Sequence, residues 1–281
     1  MKTVLGVFGD PVAHSRSPVM WNAAIEALGL DAIYLKFHVK RGELGDALRG
    51  MRALGIRGVN LTLPHKEAAF EFLDEVDTAA QKIGAINTVR LNEDGSLSGF
   101  NTDAPGLMRS LVEGGAKLEG ARAVILGAGG AARAALVGLE NEGAESIVIA
   151  ARREEAAEAL REEFAKSSRA SIRAADMSHL HELFQATDLV LQATSATLEG
   201  NPHAESFAAS IPIGSLPDHA IVSDLVYAPL ETSLLRRAQA RGLRTIDGLG
   251  MLIHQGAIAF SIFLGVEPPV DRMRSSLGLD T

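Results

Sequence analysis

One short segment limits the choice of fold more than any other. Val124-Ile125-Leu126-Gly127-Ala128-Gly129-Gly130-Ala131-Ala132-Arg133 joins an apolar run, a glycine turn and the start of a helical pattern. It matches G-x-G-x-x-A. Gly127 permits a tight turn, Gly129 lets the backbone approach a pyrophosphate, and Ala132 is small enough for close helix–strand packing. The helix N-terminus then faces the phosphate charge. A further strand pattern at residues 146–150 completes the βαβ unit. Gly127, Ala128, Gly129, Gly130 and Ala131 are therefore expected to hold a dinucleotide. A turn used only for packing is the alternative.

The residues after that second strand normally select the dinucleotide. An acidic side chain there bonds a ribose 2′-hydroxyl, and arginine suits a 2′-phosphate. The order here is Ala150-Ala151-Arg152-Arg153-Glu154-Glu155. Arg152 and Arg153 point to NADP, while Glu154 leaves NAD open. Solvated surface charge is the plain alternative for both arginines.

The rest of the chain fits around this unit. Strand patterns at 4–9, 32–39 and 56–63 alternate with helical patterns at 18–28 and 43–54. That rhythm predicts βαβ units and a parallel sheet. Residues 87–91 and 96–100 flank Asn92-Glu93-Asp94-Gly95, a hairpin signal. Beyond a helix at 104–111, strands are expected at 123–126, 146–150, 171–174, 189–192 and 221–225, with helices at 154–166 and 232–241 among them. Residues 199–218 hold three prolines and read as the most irregular stretch, and residues 250–264 as an apolar helix.

The chain has 281 residues, 47% of them hydrophobic and 22% charged, enough for two domains with sizeable cores. A formal net charge of -8 argues against general affinity for nucleic acid or acidic lipid. With no cysteine, disulfides and thiolate metal sites are excluded. The apolar stretch 4–8 is too short for a signal-peptide core, and no run approaches the roughly 20 residues that span a bilayer. A cytoplasmic enzyme without a metal is the expected class.

Chemistry-bearing residues cluster in the first third. In Gly9-Asp10-Pro11-Val12-Ala13-His14-Ser15-Arg16-Ser17-Pro18, Ser17 precedes a proline at a helix start, and Ser15 faces the same side. Two hydroxyls there suit a carboxylate ligand; a plain helix cap is the other reading. In Gly58-Val59-Asn60-Leu61-Thr62-Leu63-Pro64-His65-Lys66, Asn60 and Thr62 share a strand face, and Pro64 opens a helical stretch with Lys66 in its first turn. A lysine in the unfavourable field of a helix N-terminus is a candidate acid–base group; most lysines are simply solvated. If the hairpin turns about Glu93-Asp94, Asn87 sits opposite Phe100 or Asn101, with Asp103 a short step away. Asp103 also reads as a cap for the helix that follows.

Taken together these segments resemble the shikimate dehydrogenase family. The resemblance rests on His14-Ser15-Arg16-Ser17-Pro18, Asn60-Leu61-Thr62-Leu63-Pro64-His65-Lys66, Gly84-Ala85-Ile86-Asn87-Thr88, Gly99-Phe100-Asn101-Thr102-Asp103 and the glycine turn. It continues through Asp224-Leu225-Val226-Tyr227 and Gly250-Met251-Leu252-Ile253-His254-Gln255, in family order over nearly the whole chain. It implies a two-domain α/β fold. A substrate domain with an N-terminal parallel sheet would take residues 1–103 with 249–281, and a Rossmann NAD(P)-binding domain 104–248. The implied activity is reversible, NADP-dependent reduction of 3-dehydroshikimate to shikimate, in a monomer or homodimer.

By motif match Lys66 and Asp103 would be the catalytic pair. Ser15, Ser17, Thr62, Asn87, Tyr227 and Gln255 would hold the substrate's carboxylate and hydroxyls, with Leu225 and Gly248 near the nicotinamide. The chain departs from the usual motifs at Trp21 before Asn22, at Ala151-Arg152-Arg153-Glu154, and at Gln192-Ala193-Thr194-Ser195-Ala196-Thr197-Leu198, which lacks the family's glycine. The second departure is closer to the quinate/shikimate branch, in which an acidic residue helps accept NAD. A quinate/shikimate dehydrogenase using NAD, and a non-catalytic nicotinamide-binding sensor, are the competing readings.

Overall fold

The computed structural model describes residues 2–165 and 168–278. The chain divides into two compact units, Met1–Gly106 with Ile253–Thr281, and Leu107–Leu252. The expected end of the first domain at residues 279–281 lies outside the described residues.

The first unit begins β1 (Thr3–Gly9), α1 (Ser17–Ala27), β2 (Ala32–His38), α2 (Leu44–Leu54) and β3 (Ile56–Leu61). After a 3-10 helix, Ala68–Phe72, come β4 (Glu75–Val76), α3 (Thr78–Ile83), β5 (Thr88–Leu91) and β6 (Leu97–Phe100). Strand order is β2-β1-β3-β5-β6-β4. β2, β1 and β3 are parallel, as strands joined by βαβ crossovers are, and the hairpin adds β5 and β6 antiparallel. The sheet is thus parallel in its βαβ half and mixed as a whole. Gly95, at φ +84°, closes the hairpin turn.

Period-2 alternation sorts the side chains of β3 to two faces. Val59 and Leu61 join Leu44, Leu48 and Met51 of α2 in one core. On the other face Trp21 of α1 is fully buried and stacks on Tyr34, with centroids 4.5 Å apart. Phe260 and Phe263 lie 5.1 and 5.6 Å from the same indole. β2 is an edge strand, yet both backbone groups of its Tyr34 are taken. Tyr34 N–H donates to Asn22 Oδ1 at 2.9 Å, and Asn22 Nδ2 donates to Tyr34 O at 3.0 Å.

From α4 (Asp103–Glu113) the chain enters the second unit, with β7 (Arg122–Leu126), α5 (Gly130–Asn141), β8 (Ser146–Ala151), α6 (Glu154–Ala165), β9 (Ser171–Asp176), α7 (Leu180–Phe184) and β10 (Leu189–Gln192). α8 (Ala204–Ser210), β11 (Ile221–Asp224), α9 (Ser233–Ala240) and β12 (Arg244–Ile246) follow. Residue 166 of the helix expected over 154–166 lies outside the described residues. The order β12-β11-β10-β7-β8-β9, parallel throughout, is the doubly wound dinucleotide arrangement. β12 is too short and too polar to give a strand pattern in the sequence. α8 sits inside the stretch that its prolines mark as irregular.

α10 (Leu249–Leu264) and α11 (Val270–Ser275) end the chain. Among the described residues no helix is long and apolar enough to cross a membrane.

Candidate active site

Three segments of the first unit converge on one carboxylate. Thr88 pairs with Phe100 across the hairpin, and Asn87 N–H donates to Phe100 O at 3.1 Å. Asn87 and Asn101 are thereby brought opposite one another. Asn101 Nδ2 donates to Ala85 O at 2.8 Å, while its Oδ1 accepts the main-chain N–H of Asp103 (3.0 Å) and Ala104 (3.2 Å). Asn101, not Asp103, thus caps α4. The Asp103 carboxylate is released for other partners. Its Oδ2 accepts from Lys66 Nζ at 2.7 Å and its Oδ1 from Asn87 Nδ2 at 2.8 Å.

Lys66 itself is placed differently from the sequence expectation. Residues 66 and 67 form a turn, and the 3-10 helix starts only at Ala68. The ammonium is held by the carboxylate of Asp103, the first residue of α4. The Asp103 side chain is 7% exposed and that of Lys66 22%. A pair this dry is tightly oriented, and losing either member would strand a charge. His65 is buried, with Nε2 2.7 Å from Val39 O, so it anchors the turn before Lys66.

Ser15, Ser17 and Thr62 lie where strands β1 and β3 run out. α1 starts at Ser17, so the cap position falls to Arg16, which makes no side-chain cap bond. Ser17 is therefore not the cap its position before Pro18 suggests. Its N–H reaches Ser15 Oγ at a long 3.4 Å, and among the described residues its own hydroxyl takes no protein partner. Thr62 lies one residue beyond β3 and its methyl fills the space beside Gly9. Its expected companion Asn60 is buried and committed to protein partners. Gln255, on α10, is half-buried. A Cβ at Gly106 would come within 2.6 Å of the Gln255 nitrogen, so Gly106 lets the helix of Asp103 lie directly on that of Gln255.

Hydrogen bonds thus unite Lys66, Asp103 and Asn87; among the described residues none ties Ser15, Ser17 or Thr62 to that trio. Tyr227, Leu225 and Gly248 belong to the second unit.

In that unit Gly127 has φ +114°, closed to ordinary side chains, and donates its N–H to Ala150 O at 2.8 Å. A Cβ there would meet Thr194 Cγ2 at 2.6 Å. Gly129, at the cap of α5, has extended backbone, no side-chain cap and nothing within 4 Å of an added Cβ. The first turn of α5 therefore keeps N–H groups that no capping side chain has claimed, open to an anion. Ala132 is fully buried against the sheet. Arg152 and Arg153 follow β8 and are exposed, and Glu154 opens α6. These features suit a dinucleotide: the N-terminus of α5 would be available to its pyrophosphate, and Arg152, Arg153 and Glu154 to its adenosine ribose.

Leu225 and Tyr227 follow β11, half-buried. A Cβ at Gly248 would lie 2.4 Å from Leu225 O, so glycine is needed for the two segments to touch. Below them is a polar hub that motif matching did not single out as functional. Gln192 is fully buried; its Oε1 accepts from Thr194 N (2.6 Å) and Oγ1 (2.7 Å), and its Nε2 donates to Thr197 Oγ1 (3.0 Å) and Asp224 Oδ1 (3.2 Å). Burial pushes the Asp224 carboxyl up, against hydrogen bonds from Thr232, Val226 N–H, Thr197 and Gln192. The hub shapes the loop whose Thr194 walls Gly127. Its one signal in sequence is a polar residue closing each of two apolar strands, Leu189–Gln192 and Ile221–Asp224.

A cavity of about 710 Å³ opens at the other end of this sheet, lined by Lys117, Asp188, His219 and Arg244 among others. Asp188 and His219 there pair with each other, and Asp188 also pairs with Arg122. Among the described residues no group of three or more histidine or acidic side chains is placed to hold a metal ion.

A lysine on a carboxylate in one unit, and an open anion-binding turn in the other, are the parts needed for proton and hydride movement at a carbonyl. Comparisons with known proteins agree. Residues 7–89 match the model of the shikimate dehydrogenase substrate binding domain. Residues 109–202 match shikimate / quinate 5-dehydrogenase, and 248–277 the shikimate 5'-dehydrogenase C-terminal domain. A shikimate dehydrogenase (NADP(+)) of Methanosarcina mazei is 43% identical over 279 residues, covering 99% of this chain and 98% of the relative. The shikimate 5-dehydrogenase of Thermus thermophilus, solved with NADP(H) and shikimate, superposes with a TM-score of 0.85 at 40% identity, covering 98% of each chain. That of Listeria monocytogenes, solved with shikimate and NAD, gives 0.90 at 36% identity, covering 98% of this chain and 96% of its own. With likeness of this degree from end to end, the chain belongs to the shikimate dehydrogenase family.

Proposed function

We propose that the chain catalyses the reversible, NADP-dependent reduction of 3-dehydroshikimate to shikimate. The observation that carries this is the Lys66 Nζ–Asp103 Oδ2 contact of 2.7 Å, with Asn87 on the second carboxylate oxygen. A nicotinamide dinucleotide held by its pyrophosphate at the glycine turn would supply or accept the hydride. Lys66 delivers the proton to the oxygen on which charge develops, and its ammonium stabilises that charge beforehand. Asp103 orients Lys66. Ser15, Ser17, Thr62, Asn87, Tyr227 and Gln255 bind the carboxylate and hydroxyls of the substrate, and Leu225 and Gly248 adjoin the nicotinamide. The substrate-binding domain corresponds to residues 1–103 with 249–281, and the cofactor domain to 104–248.

Arg152 and Arg153 favour the 2′-phosphate of NADP. Glu154, at the start of α6, supports NAD as a second cofactor. Quinate carries one more hydroxyl on the carboxylate-bearing carbon, and a site with both Ser15 and Ser17 leaves it less room than one with glycine. The enzyme is assigned to the cytoplasm as a monomer or homodimer, which sedimentation of the purified protein checks.

The test is purified protein with shikimate or quinate, each with NADP or NAD, followed at the nicotinamide absorbance. Shikimate with NADP is expected to be the fastest combination. Quinate turnover with NAD and none with shikimate overturns the assignment.

A further inference from the structure

A buried chain of hydrogen bonds leads from Tyr34 to the Lys66–Asp103 pair, and main-chain groups fix its direction. The Tyr34 hydroxyl, fully buried, donates to Asn60 Oδ1 at 2.8 Å. Asn60 Nδ2 donates to Thr88 Oγ1 at 3.0 Å and to Asn87 O at 3.2 Å. The Thr88 hydroxyl donates to Asn87 Oδ1 at 2.9 Å, and Asn87 Nδ2 to Asp103 Oδ1 at 2.8 Å. A main-chain carbonyl can only accept, so Asn87 O fixes which end of the Asn60 amide faces it. A main-chain N–H can only donate, so Thr102 N, at 2.8 Å from Asn87 Oδ1, fixes the Asn87 amide. Thr88 has two acceptors in reach, Asn87 Oδ1 at 2.9 Å and Thr102 Oγ1 at 3.4 Å, and the shorter contact directs its proton to Asn87, so the donors of the chain run toward Asp103.

We propose that Tyr34, Asn60 and Thr88 are positioning residues for the catalytic pair. Together with the Thr102 N–H, which donates to the same amide oxygen, they hold the Asn87 side chain with its NH₂ against Asp103, and so hold Lys66 where its proton is delivered. The inference rests on the assignment of Lys66 and Asp103 as the acid–base pair. Four buried polar side chains in a sheet are costly unless all are satisfied, and a fully satisfied network specifies one geometry. The far end is immobile as well, because the Trp21 indole stacks on the Tyr34 ring at 4.5 Å. The sequence offers no separate sign of this chain: Tyr34 is on β2 and Asn60 on β3, with β1 between them.

Thr88→Val keeps the shape and removes the hydroxyl; Thr88→Ser keeps the hydroxyl. Both are assayed for shikimate oxidation, together with Tyr34→Phe, and the exchange of the Asn87 side-chain amide protons is followed by NMR. T88V is expected to lower kcat about tenfold, the upper end of what one neutral hydrogen bond contributes, with KM for NADP unchanged. T88S stays within about twofold of wild type and Y34F loses about threefold, since it acts two bonds further back. Asn87 amide exchange quickens at least about tenfold in T88V and not in T88S. Wild-type kcat and unchanged exchange in T88V overturn the proposal, as does T88S falling as far as T88V. Inactive wild-type protein refutes the functional assignment instead. The exchange measurement still decides the chain: unchanged exchange in T88V overturns it.

Discussion

The two centres are built from opposite materials. Around Lys66 the structure is made of side chains that hold other side chains, nearly all buried, most of them satisfied by residues distant in sequence. Around Gly127 it is made of backbone and of missing side chains, with the open approach at Gly129 and charges in solvent at Arg152 and Arg153. A centre that moves a proton needs one donor held at a fixed point. A centre that binds a long anionic ligand needs room and aligned N–H groups. The first kind fails when a partner is lost, the second when space is filled.

The largest effect is expected at the first centre. Lys66→Ala and Asp103→Asn should each lower kcat by about a thousandfold, the usual weight of positioned acid–base groups, while NADP still binds by fluorescence titration. Loss of cofactor binding in K66A would erase the separation between the centres. Next comes Gly127→Ala. A side chain at φ +114° that meets Thr194 Cγ2 at 2.6 Å must shift the loop. KM for NADP is expected to rise by at least about tenfold, with a smaller change in kcat, and strain of about 1–3 kcal/mol lowers the melting temperature. Equal falls in kcat and kcat/KM with no change in KM would contradict the filled-space account.

A smaller effect should follow from Arg152→Ala with Arg153→Ala. Removing exposed charge-assisted bonds to a phosphate is expected to raise KM for NADP about tenfold and leave that for NAD within about twofold. The smallest concerns neither centre. Arg122 forks onto Asp188 at 2.9 and 3.0 Å and holds its carboxyl far below the usual range. A carboxylate with a depressed folded-state value stabilises the fold above about pH 4 and loses that contribution as pH falls through the folded value. Asp188→Asn should therefore lower the melting temperature by about 2–4 °C at pH 7, with the gap closing in strong acid and kcat unaltered.

The difference in materials also governs what the sequence reveals. The turn at Gly127 is local: its glycines, strand and helix adjoin one another, and the parallel sheet around it follows from the alternation of elements. The Lys66–Asp103 pair was legible through the motif match, and Asn87 beside it through the hairpin, because the turn at Glu93-Asp94 sets the register that carries Asn101 to Asn87. What capped α4 was not legible, since both Asn101 and Asp103 are good caps and the choice depends on the Ala85 carbonyl that orients Asn101. The helix expected to carry Lys66 in its first turn failed for a similar reason. Pro64 begins turns rather than a helix, and the short 3-10 segment starts after the lysine. The Gln192–Asp224 hub stayed hidden because its members meet only when β10 and β11 lie side by side in register.

Asn22 has a consequence beyond its own neighbourhood. An edge strand is an invitation to any other extended chain, in this molecule or a second copy. At Tyr34 that invitation is withdrawn, because a single carboxamide imitates one residue of a neighbouring strand and occupies both hydrogen-bonding groups. An incoming strand would have to evict Asn22 before it could zip past that point. The ring that begins the path to Lys66 is thereby shielded from intermolecular sheet growth by a residue that takes no part in chemistry.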